Sequence, residues 1–469
     1  MAGFHIENFG CRAARADGEG IAARLLASGR QCAQQPREAD VVVVNTCSVT
    51  EEADRAARAF IRKAHRQNPA ARIVVTGCYA QRAPEELARV KGVTAVVGNS
   101  HKALTPEIVL SLAPPGEASN SAAQSAGLIP VHSLFAGGAA VPIWADDRFA
   151  HSFLEAAELA PGEQTRPNLK IQEGCGNRCT FCVIPQTRGM SRSLPAASVL
   201  RQVQGFIAAG GNELVLSGIN LGRWGGDLPG RPALPALVRQ IFAETALPRL
   251  RLSSIEPMDW GDELIGLMAE FGGRRLARHA HLPLQSGCDA VLRRMHRRYR
   301  PWHYVGKVEA LMRALGPDLT LGADVMVGFP GETDAEFEET MAMVRALPFG
   351  YLHMFPFSAR PGTEGRALHR QSPVAEAAVE ERMKALRALA AEKTQAHRAQ
   401  FVGRELDAIT LHAPAAFAAA GRSRGLSENF LPMRIRGTFG ANRLVHLRVG
   451  ALHADGVLEA AAAAEHGNR

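Results

Sequence analysis

The sequence is poor in the features that mark secreted, membrane-spanning or disulfide-built proteins. Eight cysteines in 469 residues are too few and too scattered for a small disulfide framework. The opening MAGFHIENFG has no basic patch followed by an apolar core, so no export signal is evident. The most apolar window, 127–145, is broken by Pro130, His132, Gly137, Gly138 and Pro142 and does not read as a membrane span. Aromatic residues are few, at 6%, while a hydrophobic share of 46% is ordinary for a globular chain of about three domains. Acidic residues are outnumbered by basic ones, leaving a formal charge of +8, which favours a polyanionic partner such as RNA. These features describe a cytoplasmic protein with no membrane partner.

The cysteines that are present are arranged. Cys175, Cys179 and Cys182 lie in KIQEGCGNRCTFCVIPQTRG, residues 170–189, as C-x3-C-x2-C. Thiolates are soft donors that select zinc or iron–sulfur clusters. Three donors suit a cubane of four irons with one iron left open; a zinc site would need a fourth ligand from elsewhere. Phe181, just before the last cysteine, suits packing against a cofactor beside the metal.

Residues 1–100 repeat one pattern. Extended runs at 4–9, 41–45 and 73–76 end at Gly10-Cys11, Thr46-Cys47 and Gly77-Cys78. Helical stretches follow at 20–28, 51–67 and 84–90, with a fourth strand at 93–97. Such alternation predicts a parallel α/β sheet, whose ligands sit at the carboxyl ends of the strands. Each of the three cysteines alone reads as a buried core thiol. Together, at equivalent positions, Cys11, Cys47 and Cys78 predict a shared metal site with three donors. Cys32 and Cys288 fit neither set and read as structural.

Residues 113–165 read as a linker with a short extended piece at 129–134. From 166 to 400, strands at 213–217, 250–254, 280–284, 321–327 and 351–357 alternate with helical runs. This predicts a full or partial βα barrel with its site at the strand C-terminal ends. The run 293–300, RRMHRRYR, reads as a solvated helix face or a phosphate contact through Arg297 and Arg298. A helical bridge over about 371–400 leads to β-like runs at 406–411, 433–435, 443–449 and 456–458, a small β-barrel. There Arg422 and Arg424 lie in a flexible basic loop suited to phosphate.

The spacing of Cys175, Cys179 and Cys182, with LKIQEGC, CTFCVIP, GC, NTCSVT and TGCYAQ, resembles the radical S-adenosylmethionine (SAM) methylthiotransferases. Within them the chain is most similar to the branch acting on threonylcarbamoyladenosine in tRNA. The resemblance implies an N-terminal methylthiotransferase domain (1–112), a radical SAM barrel (166–400) and a TRAM-like RNA-binding module (401–469). It implies two 4Fe–4S clusters, on Cys175/Cys179/Cys182 and on Cys11/Cys47/Cys78. It assigns SAM contacts to Gly210, Gly211 and Glu213 as a glycine-rich turn, and to Ser254, Glu256 and Gln285. One departure is Arg12, where the family commonly has lysine; another is Ala14 in place of asparagine.

The implied reaction starts with SAM on the open iron, cleaved by one electron to a 5′-deoxyadenosyl radical. Methylthiolation at carbon 2 of adenosine 37 in the tRNA anticodon loop follows, with a second SAM giving the methyl group. A flavodoxin-like electron donor is implied; the sulfur donor is unspecified. Alternative substrates are isopentenyladenosine in tRNA and a ribosomal-protein aspartate, and the alternative class is a non-catalytic iron–sulfur RNA-binding protein.

Overall fold

The computed structural model describes residues 3–112, 141–152 and 165–463. The extended piece expected at 129–134 lies outside them. The N-terminal sheet has six parallel strands in the order β2-β1-β3-β4-β5-β6. They are β1 (Gly3–Asn8), β2 (Gln31–Cys32), β3 (Val41–Thr46), β4 (Arg72–Gly77), β5 (Val93–Gly98) and β6 (Ile143–Trp144). The run VVVVNT of β3 is buried along its whole length, as expected of a parallel strand covered on both faces. Alternate side chains divide between the faces. Val42, Val44, Ile73 and Val75 pack with Ala57 and Ile61, while Val41, Val43 and Val74 pack with Ile21 and Leu25.

Helix α1 (Arg12–Ala27) starts directly after Cys11, and α2 (Glu51–Gln67) starts after Thr50. The Thr50 side chain accepts the Ala53 N–H at 3.2 Å, and Glu51, Glu52 and Asp54 occupy the first turn. Both features favour a helix start there. Helix α3 (Cys78–Arg82) begins on the third cysteine itself. Strand β6 falls inside the stretch expected to be a linker. Two residues pair with Val96 and Val97 of β5, a register too short to read from sequence.

The central unit is a partial barrel of six parallel strands. They are β7 (Asn168–Glu173), β9 (Glu213–Gly218), β10 (Arg249–Leu252), β11 (His279–His281), β12 (Thr320–Val327) and β13 (Phe349–Pro356). The antiparallel β8 (Arg192–Ser193) flanks β7. Strands β10-β9-β7-β8 and β11-β12-β13 form two sheets that touch through a Leu250–Leu276 bridge.

The helix Glu376–Ala399 leads to a closed five-stranded barrel. Its strands are β14 (Glu405–Leu411), β15 (Arg422–Ser427), β16 (Pro432–Arg436), β17 (Leu444–Leu452) and β18 (Leu458–Ala462). Here the structure corrects the sequence reading, because Arg422 and Arg424 belong to a strand and not to a flexible loop. Gly425 is required there by packing: a Cβ would lie 2.6 Å from Ile435 Cδ1. No described helix is long and apolar enough to cross a membrane.

Candidate functional site

The N-terminal unit docks on the mouth of the partial barrel, and buried ion pairs hold the junction. Asp54 on α2 accepts Arg82 at 2.7 Å and also Arg360 from beyond β13. Deeper in the junction, Asp17 of α1 and Glu173 of β7 face Lys102, Lys170 and Arg188, all essentially buried. Three cations on two carboxylates leave one positive charge in excess. Arg188 lies close enough to Cys78 and Cys11 for their thiolates, with Glu173 and Asp17, to hold it strongly protonated. Lys102 is pulled down to about 8 by burial and by Arg188 beside it. Of these cations, Arg188 therefore adjoins the first cysteine set.

Cys11, Cys47 and Cys78 converge as the strand-end rule predicted. They follow β1, β3 and β4, three adjacent strands. Each of the other two thiols helps to raise the Cys47 thiol, which burial pushes up to about 12. Asn99 donates to Cys78 Sγ at 3.3 Å and to the Thr187 carbonyl at 2.8 Å, tying this set to the barrel. Gly10 sits at φ +102°, and a Cβ there would stand 2.6 Å from Cys47 Cβ and 2.7 Å from its sulfur. Gly10→Ala is therefore expected to displace Cys47. Anaerobically purified variant should lose about half its iron, checked by iron and sulfide analysis against wild type.

Cys175, Cys179 and Cys182 gather in the loop after β7. Burial drives the Cys182 thiol up to about 12 and raises Cys179. The Asn177 N–H lies 3.4 Å from Cys175 Sγ, and Arg297 Nη1 donates to Cys179 Sγ at 3.3 Å. The donor sets fit clusters better than single ions. Among the described residues, the three metal-binding side chains whose ligand atoms lie within 4.8 Å of one another are His281, Asp324 and His353. Neither cysteine set is drawn that tightly, and one zinc with Zn–S bonds of ~2.3 Å would need it to be.

A cavity of about 500 Å³ lies between the two sets, with Cys11 on one wall and Cys182 on another. Phe181, Ser254, Glu256 and Gln285 line it, as do Asn220, His281, Asp324 and His353. A second recess of about 350 Å³ is lined by Cys175, Cys179 and Cys182. Gln285 has φ +61° and a buried Oε1 without a hydrogen-bond partner, the kind of backbone outlier that gathers at functional sites.

Two expectations are corrected. Gly210, Gly211 and Glu213 do not line the cavity. Glu213 opens β9, and five residue steps of ~3.3 Å each separate it from the strand's carboxyl end at Gly218. Its carboxylate is held near 2 by Arg251, Arg166 and Arg249, and Asn442 of the C-terminal barrel bonds the Gly210 carbonyl at 2.8 Å. The far end of the strand, Gly218 to Asn220, lines the cavity instead. Arg297 is not a surface phosphate contact either: it is buried, paired with Glu256 and turned onto Cys179. Arg298 is exposed. Of the two remaining cysteines, Cys288 is buried and Cys32 is exposed on an edge strand.

A thiolate loop at the mouth of a partial parallel barrel defines the class, a radical SAM enzyme. The radical SAM superfamily pattern matches residues 169–344, and the uncharacterized protein family UPF0004 matches residues 3–98. The fold is similar to the radical SAM methyltransferase TsrM of Kitasatospora setae, with a TM-score of 0.56 at 16% identity over 79% of this chain and 78% of that one.

The chain is 33% identical to the threonylcarbamoyladenosine tRNA methylthiotransferase MtaB of Bacillus subtilis, over 93% of this chain and 91% of that protein. The Aquifex aeolicus MtaB is 32% identical over 95% and 99%. The tRNA-2-methylthio-N(6)-dimethylallyladenosine synthase of Novosphingobium aromaticivorans is 35% identical over 82% and 81%. The chain belongs to the radical SAM methylthiotransferase family, of the MtaB type in overall sequence, and its cofactors are SAM and 4Fe–4S clusters.

Proposed function

We propose that this protein methylthiolates carbon 2 of N6-threonylcarbamoyladenosine at position 37 of tRNA. The observation that carries the reading is the single cavity walled by Cys11 of one set and Cys182 of the other. When bound, SAM and the clusters supply the one-electron chemistry and the sulfur that an unactivated aromatic C–H bond demands. Cys175, Cys179 and Cys182 hold one cluster, and Cys11, Cys47 and Cys78 hold the other. Arg297 and Arg188 keep positive charge against those sulfurs. Phe181, Ser254, Glu256 and Gln285 shape the SAM side of the cavity. An unpaired loop base reaches such a recess at small unstacking cost.

The C-terminal barrel supplies the RNA surface in this reading. Arg422 and Arg424 of β15 lie opposite Arg436 and Arg434 of β16; the β16 pair is held by Glu459 and Asp455, while Arg422 and Arg424 are exposed and suited to phosphate. The full-length match to the MtaB relatives favours the threonylcarbamoyl substrate. The 35% identity to a dimethylallyladenosine synthase favours the second reading, a tRNA bearing a dimethylallyl group.

Nucleoside mass spectrometry of tRNA from a strain lacking the gene separates the two. The account expects 2-methylthio-N6-threonylcarbamoyladenosine to vanish and its unthiolated precursor to accumulate. Loss of the dimethylallyl product instead would replace the first reading with the second.

A further inference from the structure

Several arginines around the junction are paired with carboxylates, whereas one that lines the cavity is paired with none among the described residues. Arg297 has Glu256, Arg251 has Glu213, Arg188 has Asp17 and Glu173, and Arg360 has Asp54. Arg12, the first residue of α1, lines the cavity beside Cys11. Among the described residues its contact is an aromatic ring: its guanidinium lies 5.8 Å from the centroid of Phe430. The nearest acid of the cavity wall is already engaged. Asp324 is held by His281 at 3.1 Å and His353 at 3.4 Å.

The charge balance points the same way. Arg12 and Asp324 line this end of the cavity, and near Arg12 three further arginines, Arg166, Arg249 and Arg251, share the one carboxylate of Glu213. His279 between them is held neutral by burial and by the arginines, so it neither adds to nor relieves the excess. Phe430, the platform under Arg12, has φ +71°, a strained conformation for a bulky residue. Its ring also meets His279 at 4.4 Å and Tyr351 at 5.3 Å. The C-terminal barrel thus places one ring beside both Arg12 and Arg251, and among the described residues no carboxylate closes the Arg12 N–H fork.

We propose that Arg12 binds the carboxylate of the substrate's N6 substituent and so sets which modified adenosine is accepted. This rests on the threonylcarbamoyl reading above. A guanidinium and a carboxylate match as a two-point, charge-assisted pair. A dimethylallyl group offers no charge and would leave Arg12 desolvated and unpaired, which is how a polar subsite rejects an apolar analogue. Because Arg12 follows Cys11 directly, the same contact would place the base beside the first cysteine set.

The test is binding of fluorescent anticodon stem-loop RNAs to anaerobically purified holoprotein, measured by anisotropy. Four RNAs carry threonylcarbamoyladenosine, its carboxylate methyl ester, a dimethylallyl group, or plain adenosine. Wild type should bind the free carboxylate about tenfold more tightly than the ester or plain RNA, the scale of a charge-assisted contact. Arg12→Gln should bind all four alike with its iron content intact, and Arg12→Lys should keep part of the preference.

An equal loss on all four RNAs would make Arg12 a backbone phosphate contact, and weaker SAM binding with the RNA preference intact would make it a SAM contact. Either outcome overturns the proposal, as does a threonylcarbamoyl preference that survives Arg12→Gln. A wild type that prefers the dimethylallyl RNA overturns the functional reading, and the proposal with it. The ester comparison uses unaltered protein, so equal binding of the free carboxylate and its ester overturns the proposal even if the Arg12 variants fold poorly.

Discussion

Cys47→Ala is expected to keep cleaving SAM reductively while its methylthio product falls below detection. Cys182→Ala is expected to lose both activities. The asymmetry follows from where the two thiols stand. Cys182 belongs to the loop after β7 and lines both the cavity and the smaller recess. Cys47 does not line the cavity; it is buried against Gly10 and near enough to Cys11 and Cys78 for their charge to raise it. Removing it leaves two thiolates where three are required, and the described structure offers no spare thiol there: Cys32 lies on an edge strand and Cys288 in the barrel core. Liquid chromatography with mass detection of 5′-deoxyadenosine and of the modified nucleoside reads both activities in one reaction. Full methylthio product from Cys47→Ala would remove the proposed role of the first set.

Arg188→Met should have the next largest effect, on stability and on cluster retention together. Removing one partner of a buried ion network costs about 3–5 kcal/mol because the opposing charge is stranded. Here the low end, about 3 kcal/mol, is expected, since Lys102 and Lys170 still face Asp17 and Glu173. What those lysines cannot replace is the cation beside Cys78 and Cys11. The variant should therefore unfold at lower denaturant and lose the iron of the first set preferentially. Unchanged iron with lowered stability would confine Arg188 to holding the two units together.

The sequence made the cluster-forming features readable to different degrees, for physical reasons. Cys175, Cys179 and Cys182 are close in the chain, so their spacing alone predicts convergence. Cys11, Cys47 and Cys78 are separated by 36 and 31 residues, and only the shared carboxyl edge of a parallel sheet predicts that they meet. That rule held because the strands pair in the order β1-β3-β4. The glycine-rich turn at Gly210 and Gly211 misled because its composition suits a cofactor turn, although chain order sets it before the strand expected at 213–217, at the end away from the site. Gly218 to Asn220, at the other end of β9, carried the weaker signal and the right position.

Arg297 misled for a related reason. In RRMHRRYR the basic residues look equivalent along the chain, but residues 297 and 298 point in opposite directions, one buried on Cys179 and one exposed. Strand β15 was missed because Gly421 and Gly425 read as turn signals. In the barrel Gly425 instead makes room for Ile435. Arg12 stood out only as a departure from a common lysine. Its significance needs the three-dimensional fact that no carboxylate among the described residues pairs with it, which no spacing conveys.

The account's central claim is two open three-thiolate sites in one molecule, and iron and sulfide counting with Mössbauer spectroscopy on anaerobic protein tests it most directly. Wild type should hold about eight irons as two cubanes, and Cys47→Ala and Cys182→Ala should each hold about four. About four irons in wild type, or about eight retained in Cys47→Ala, would contradict it.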